Sequence, residues 1–393
     1  MNKLKQKSSN AAASIFNMLF FALFLLNFFI FSMESSADLK NKKQITFQKV
    51  MQITDKDESY YFKYPVQICE DAKENLYILD NSRILKFSKA GKYEGNLVTI
   101  GRGPGEVNSI SNILLIEQGE KIIIHNSRPN RIIWKDAWGK LLKEFPINEE
   151  IMMDFIYYCN GTYYFFRQGN PEMKQGTGIR DVDNYLCTVT SDRGKIKDIH
   201  SFPIKRYVAV NGSSMGTLGI IGLGEFKYAI GDNRYVFFSH TPEYNIKCYD
   251  LHQKKSIYEI KVNYERKKMP EKLRKIINDQ AGSLYINGKR FQAPIPEYFY
   301  DIQQLLIYGS HLWVVTSTFD EKKGNRIDIY NFKGENIDSV YTFLPGRTDR
   351  YSFRCFIHGQ HLYSIETNDE GNESIVKYKI LNWEKKAWNG SCQ

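Results

Sequence analysis

The stretch VQICEDAKENLYILDN, Val66 to Asn81, is an apolar run, a tight polar turn and a second run rich in aromatic and β-branched residues. Such residues fit a pleated, half-buried strand better than a helix. The layout returns five times: ILLIEQGEKIIIHNS from Ile113, FIYYCNGTYYFFRQG from Phe155, KYAIGDNRYVFFSH from Lys227, LLIYGSHLWVVTST from Leu305 and CFIHGQHLYSIETN from Cys355. Equivalent positions in the second strands are Tyr77, Ile123, Tyr164, Val236, Trp313 and Tyr363, at spacings of 46, 41, 72, 77 and 50. A four-stranded propeller blade takes roughly 40–50 residues, so three spacings fit it and the two long ones require insertions.

Each second strand leads to a third, such as RILKFSKA from Arg83, and then to a turn. Gly91, Gly139, Gly194 and Gly334 stand at the tip of that turn in four repeats, where positive φ is needed. A fourth strand follows in five repeats and is missing from the sixth. QITFQKVMQI, Gln44 to Ile53, precedes the first repeat and reads as the absent outer strand. Pairing the two chain ends this way removes an exposed sheet edge. The expected fold is therefore all-β, a six-bladed β-propeller over 44–381, with the N-terminal strand closing the last blade and a tail over 382–393.

Three inserts are expected: residues 169–184 inside blade three, 204–225 before blade four and 265–300 before blade five. Within the last, Pro270 opens PEKLRKIINDQA and Leu273, Ile276 and Ile277 recur at helical spacing, which predicts one short helix.

Residues 1–37 stand apart from this fold. Lys3, Lys5 and Lys7 precede an apolar run from Ser14 to Ser32, and Ser35–Ala37 follow with small side chains. That pattern is a secretory signal cut after Ala37, or an uncleaved anchor if the run of roughly 20 residues stays in a bilayer. The expected location is periplasmic or extracellular. Without residues 1–37 the formal charge is +8, spread along the chain with no compact basic block. Nucleic acid is therefore not an expected partner. Cys69, Cys159, Cys187, Cys248, Cys355 and Cys392 show no CxxC spacing, and the first five lie in apolar strand patterns. They read as free thiols in the core.

TIGRGPGEVNSI, Thr99 to Ile110, joins the first two blades. A phosphate loop would open a helix with Lys and Ser or Thr at fixed offsets, whereas VNSISNILL leads into a strand. The loop reads as a tight crossover, with Arg102 and Glu106 placed to tie it to its neighbours. The GRGPGE crossover, the LYILDNSRILKFSKAGK unit and the PIPEYFYDIQQLLIYGSHLWVV join resemble the bacterial envelope family known as 6-bladed β-propeller proteins, related to NHL-repeat propellers. The likeness runs from about Gln44 to Leu381. Many members of that family look like lipoproteins with a lipobox cysteine, and here no cysteine follows the apolar run until Cys69. The resemblance implies no enzymatic activity for named residues.

In a propeller the crossovers between blades share a face with the loops between second and third strands. Binding residues concentrate on loops held by a rigid scaffold. The expected function is a binding module for a protein, small-molecule or glycan ligand at the channel mouth on this face, acting as a monomer. Arg102, Glu106, His125, Arg128, Arg167 and His240 are the candidate contacts. A metal-dependent lactonase- or lyase-like propeller enzyme is the alternative. No metal or cofactor motif appears, the seven His are scattered, and no G-x-S-x-G elbow is present. No residue is therefore expected to be catalytic.

Overall fold

The middle strands of each repeat are apolar on both faces because a blade of a ring is covered by a neighbour on either side. In a computed structural model the described residues are 45–54, 59–147, 153–190, 194–218, 224–280, 283–292, 294–346 and 353–383. The apolar N-terminal run and Cys392 lie outside them. Strand β1 (Thr46–Thr54) comes first. Blade one is β2 (Pro65–Glu70), β3 (Leu76–Asp80), β4 (Arg83–Phe87) and β5 (Tyr93–Asn96). Blade two is β6 (Ile110–Ile116), β7 (Lys121–Ser127), β8 (Asn130–Asp136) and β9 (Leu141–Pro146). Blade three is β10 (Met153–Cys159), β11 (Thr162–Gln168), β12 (Gly176–Thr190) and β13 (Ile196–Asn211), extended by β14 (Ser214–Leu218). Blade four is β15 (Phe226–Gly231), β16 (Tyr235–His240), β17 (Asn245–Asp250) and β18 (Lys255–Lys261).

Helix α1 (Glu271–Gln280) and a separate hairpin of β19 (Ser283–Ile286) and β20 (Lys289–Gln292) follow. Blade five is β21 (Ile302–Tyr308), β22 (His311–Asp320), β23 (Gly324–Asn331) and β24 (Asn336–Thr342). Blade six is β25 (Cys355–His358), β26 (His361–Thr367) and β27 (Glu373–Leu381), and β1 completes it as the outer strand. The closure is antiparallel, from Thr46 opposite Leu381 to Thr54 opposite Ser374. It buries Ile45 and Ile53, and Thr342 Oγ1 donates to the Ile45 carbonyl at 2.8 Å.

Six apolar clusters each bridge two adjacent blades. Leu79, Ile84, Ile113 and Ile124 join blades one and two, for example, and Phe237, Ile246, Leu312 and Val314 join four and five. Burying each such side chain contributes about 1.5–3 kcal/mol. The four turn glycines, Gly91, Gly139, Gly194 and Gly334, all adopt positive φ, as their place in the repeat requires. Helix α1 starts beside Pro270, whose carbonyl accepts from the Leu273 and Arg274 amides at 3.0 Å each. Its apolar stripe is only part covered, with Ile276 exposed. Among the described residues no helix is long and apolar enough to cross a membrane.

The first two expected inserts are not loops. Residues 176–190 and 196–211 pair along one continuous ladder, from Val189 opposite Ile196 to Gly176 opposite Val210. The third and fourth strands of blade three thus run on past the ring as an arm. β14 adds to its edge, and Val182, Val208 and Val210 with Met215 form a small core of its own. Asn287, at the tip of the β19–β20 hairpin, donates to the Asn211 carbonyl at 3.1 Å and so ties the third insert to this arm. The two inserts look unrelated along the chain because residues 185–203 separate them; their alternating apolar residues meet only through pairing.

Candidate functional site

Two polar positions recur in register around the ring and show which blade departs from the rest. On the inner strands the first is Gln67, Asn112, Asp154, Tyr228, Gln304 and Arg354, the first five opposite Leu79, His125, Phe166, Phe238 and Val315 and the last a residue ahead of β25. Amides there stitch one blade to the next. Gln67 Nε2 donates to the Ile113 carbonyl at 2.8 Å, Asn112 Nδ2 to that of Phe155 at 2.5 Å and Gln304 Nε2 to that of Cys355 at 3.4 Å. Blade three carries the carboxylate of Asp154 instead, and that side chain makes no hydrogen bond among the described residues.

The second position ends the second strand. In blade one the buried Asp80 accepts the backbone amides of Lys63 and Tyr64, and in blade two Asn126 Oδ1 accepts those of Asn108 (2.9 Å) and Ser109 (3.1 Å). Blade three has Arg167 there. Its guanidinium is held by both oxygens of Asp198, Nε donating at 2.7 Å, and stacks 4.2 Å from the Tyr185 ring centre. Neither position of blade three therefore makes the bond found in blades one and two; Asp154 is unbonded among the described residues and Arg167 is turned to Asp198. At the junction of blades three and four, β10 and β15 share one apolar cluster, with Ile156 and Tyr157 on one side and Phe226, Tyr228 and Ile230 on the other. Aromatic rings fill part of that seam: Phe166 meets Phe226 edge-on at 4.6 Å, and Phe202 stacks on Phe226 at 5.4 Å.

What remains is a cleft in two lobes, about 340 and 430 Å³, which share Phe202, Ile204, Phe226 and His240. The smaller lobe holds Asp154, Arg167 and Arg206. The larger is walled by the arm (Ile179, Asp181, Lys205), by blade four (Asn245, Lys247) and by the segment before β21 (Pro296 to Tyr298). Arg206 projects from the arm and forms no hydrogen bond or ion pair among the described residues; its Nε is buried without a partner. Burial pulls its pKa down, against the pull of the Asp154 charge. Asp154 is open to solvent yet enclosed by protein on most sides, and this desolvation raises its carboxyl pKa, with Arg206 opposing. In the larger lobe Asn245 Oδ1 is likewise buried with no partner.

Of the six residues singled out in the sequence, Arg167 and His240 come together in this cleft. The others do not join them. Arg102 and Arg128 are exposed on loops of blades one and two. Glu106 turns back into its own loop, accepting the Gly103 amide at 2.8 Å, so close to Gly101 that a Cβ there would lie 2.0 Å from its Oε2. The expected tie through Arg102 is made by Arg131 instead, which donates to the carbonyls of Gly103 (3.1 Å) and Glu106 (2.5 Å). His125 is not on the loop face at all. It is buried in β7, where Nε2 faces Asn130 Oδ1 at 2.9 Å and Nδ1 faces Ser111 Oγ at 2.5 Å, and burial pulls its pKa down to about 4. Reading HNS as a loop misplaced it, because the strand runs on to Ser127. Asp154, Arg206 and Asn245 were missed. The alignment of repeats does mark Asp154, since only blade three puts a carboxylate at that register.

On the opposite face Glu70, Glu74 and His361 carry the donor types of a metal site and lie close together. Lys377 Nζ sits 2.9 Å from both Glu70 and Glu74, so an ammonium already supplies the cation there. Cys69, Cys187, Cys248 and Cys355 are buried thiols and Cys159 is a half-buried one, none of them in a disulfide among the described residues.

Residues 30–217 match the model of the family DUF5128, described as 6-bladed beta-propeller. A member of the DUF4221 family from Bacteroides vulgatus is similar in structure, 13% identical, with a TM-score of 0.55 over 87% of this chain and 100% of that one. A Bacteroides fragilis protein is 14% identical over 86% of this chain and 95% of its own, with a TM-score of 0.49. A gluconolactonase from Xanthomonas campestris is 13% identical over 81% and 87%, with a TM-score of 0.43. No curated protein is significantly similar to the chain. Six blades and a ring closed by the N-terminal strand give the chain the fold of a six-bladed β-propeller, and residues 30–217 resemble a family described in the same words.

Proposed function

We propose that the chain is an exported binding module whose ligand, a small polar molecule, enters the cleft between blades three and four on the loop face. The observation that carries this reading is the pair Arg206 and Asp154. Both line the smaller lobe, and neither has a hydrogen-bond partner among the described residues. The buried Arg206 Nε without a partner costs stability, and such costs persist where a ligand completes the bonding. Blade three has also exchanged both of its stitching residues for groups that face this space. Export rests on the Lys-rich start, the apolar run and the small residues before Asp38.

The pair can be tested without knowing the ligand. In the double variant Arg206→Met, Asp154→Asn, the desolvated guanidinium and the unbonded carboxylate that partly offsets it are removed together, so the melting temperature is expected to rise by a few °C, on the order of 1 kcal/mol. A fall in melting temperature would make the pair a structural element and sink the reading.

A further inference from the structure

We infer that the ligand is a neutral oligosaccharide, with one part of the chain in each lobe; this rests on the cleft being the binding site. Three features of the cleft point to it. The two cavities have Phe202, Ile204 and Phe226 in common in their walls, so a ligand that occupies both must be elongated and must pass an apolar stretch at its middle. The polar groups are a donor, Arg206, whose Nε is buried without a partner, and the solvent-open carboxylate of Asp154 in one lobe, and an acceptor, Asn245 Oδ1, buried without a partner in the other. A hydroxyl group donates and accepts at once, so a polyol satisfies all three without a change of ligand type. A pyranose also presents C–H groups to a ring face, and Phe226 and Tyr298 are both half-exposed in the larger lobe.

The charge balance disfavours strongly charged ligands. Arg167 is paired with Asp198, Lys205 with Glu243 at 3.0 Å and Arg266 with Asp301 at 3.2 Å. Arg206 and Asp154 offset one another. Asp181 is left as a lining carboxylate with no ion pair among the described residues, which disfavours anions further.

The test is a titration of the purified protein with neutral gluco-, manno-, xylo- and galacto-oligosaccharides of one to six units, alongside uronate-containing and sulfated ones. Binding to a neutral series is expected, tightening at least tenfold from the monosaccharide to the trisaccharide as the second lobe fills. Arg206→Met in the smaller lobe and Asn245→Ala in the larger should each weaken it tenfold or more. Phe226→Ala should do the same, provided its melting temperature shows that it folds. Binding confined to the charged sugars, or to none, would overturn the inference. If no sugar binds while the Arg206→Met, Asp154→Asn variant still melts higher, the ligand class is wrong and the cleft stands; if that variant melts lower, both readings fall.

Discussion

The guanidinium of Arg131 donates to the backbone carbonyl of Glu106 at 2.5 Å, so the glycine-rich crossover is held in shape by a side chain of the next blade. The same Arg131 reaches the Gly103 carbonyl and the Glu144 carboxylate, and Glu144 in turn accepts the Gly105 amide at 2.9 Å. Arg131→Met leaves two carbonyls and a carboxylate short of a donor. Urea unfolding should show a loss of about 1–3 kcal/mol. Arg131→Lys should recover little of it, because an ammonium lacks the planar fork that reaches three acceptors. An unchanged midpoint for Arg131→Met would show that the loop holds itself.

Closure by β1 predicts a second outcome. Ile53 is buried between blades six and one, so Ile53→Ala should cost about 2–4 kcal/mol, read as a lower urea midpoint. Removing residues 1–54 bares the outer edge of β27 from Ser374 to Leu381. An unpaired strand edge invites pairing with another chain. The shortened protein should elute from a sizing column as dimers or larger species. A stable monomer would mean that β1 is dispensable to the ring.

His125 sets a pH dependence. Its folded pKa of about 4 lies below the ordinary histidine value near 6.5, so the fold favours the neutral ring. That contribution is complete above about pH 6.5 and is lost as the pH falls toward 4. At full protonation the loss is about 3 kcal/mol. Burial also pulls down the pKa of His358, whose Nε2 donates to the Ile68 carbonyl at 2.7 Å, so the two act in the same direction. His125→Gln should flatten, without abolishing, the fall in urea midpoint between pH 7 and pH 4.5. An identical slope in the variant would remove His125 from the account.

The thiols give a direct check on burial. Desolvation pushes Cys69, Cys248 and Cys355 up to about 12, and Cys187 is wholly buried. A thiolate is the reactive form. A thiol reagent at pH 8 should label at most Cys159 and Cys392 in the native protein, and all six in denaturant without reductant. Fewer than six in denaturant would reveal a disulfide.

The six blades and their closure could be read along the chain, because they rest on local signals. A blade whose two faces are both covered demands apolar runs such as ILLI, YYFF and LWVV, and turns at fixed offsets demand Gly91, Gly139, Gly194 and Gly334. The missing fourth strand of the last repeat pointed to β1 for the same reason. The cleft did not announce itself in this way. Arg167 and His240 were found because they end strands next to turns. Arg206 was hidden inside the insert expected before blade four, and His125 looked like a loop residue when it was core. Which partner a side chain meets depends on pairing between segments far apart: 176–190 meets 196–211, and the hairpin from the third insert then meets Asn211. That pairing decides whether a charged group ends with a bonded neighbour, as Arg131 does, or in a cavity without one, as Arg206 does.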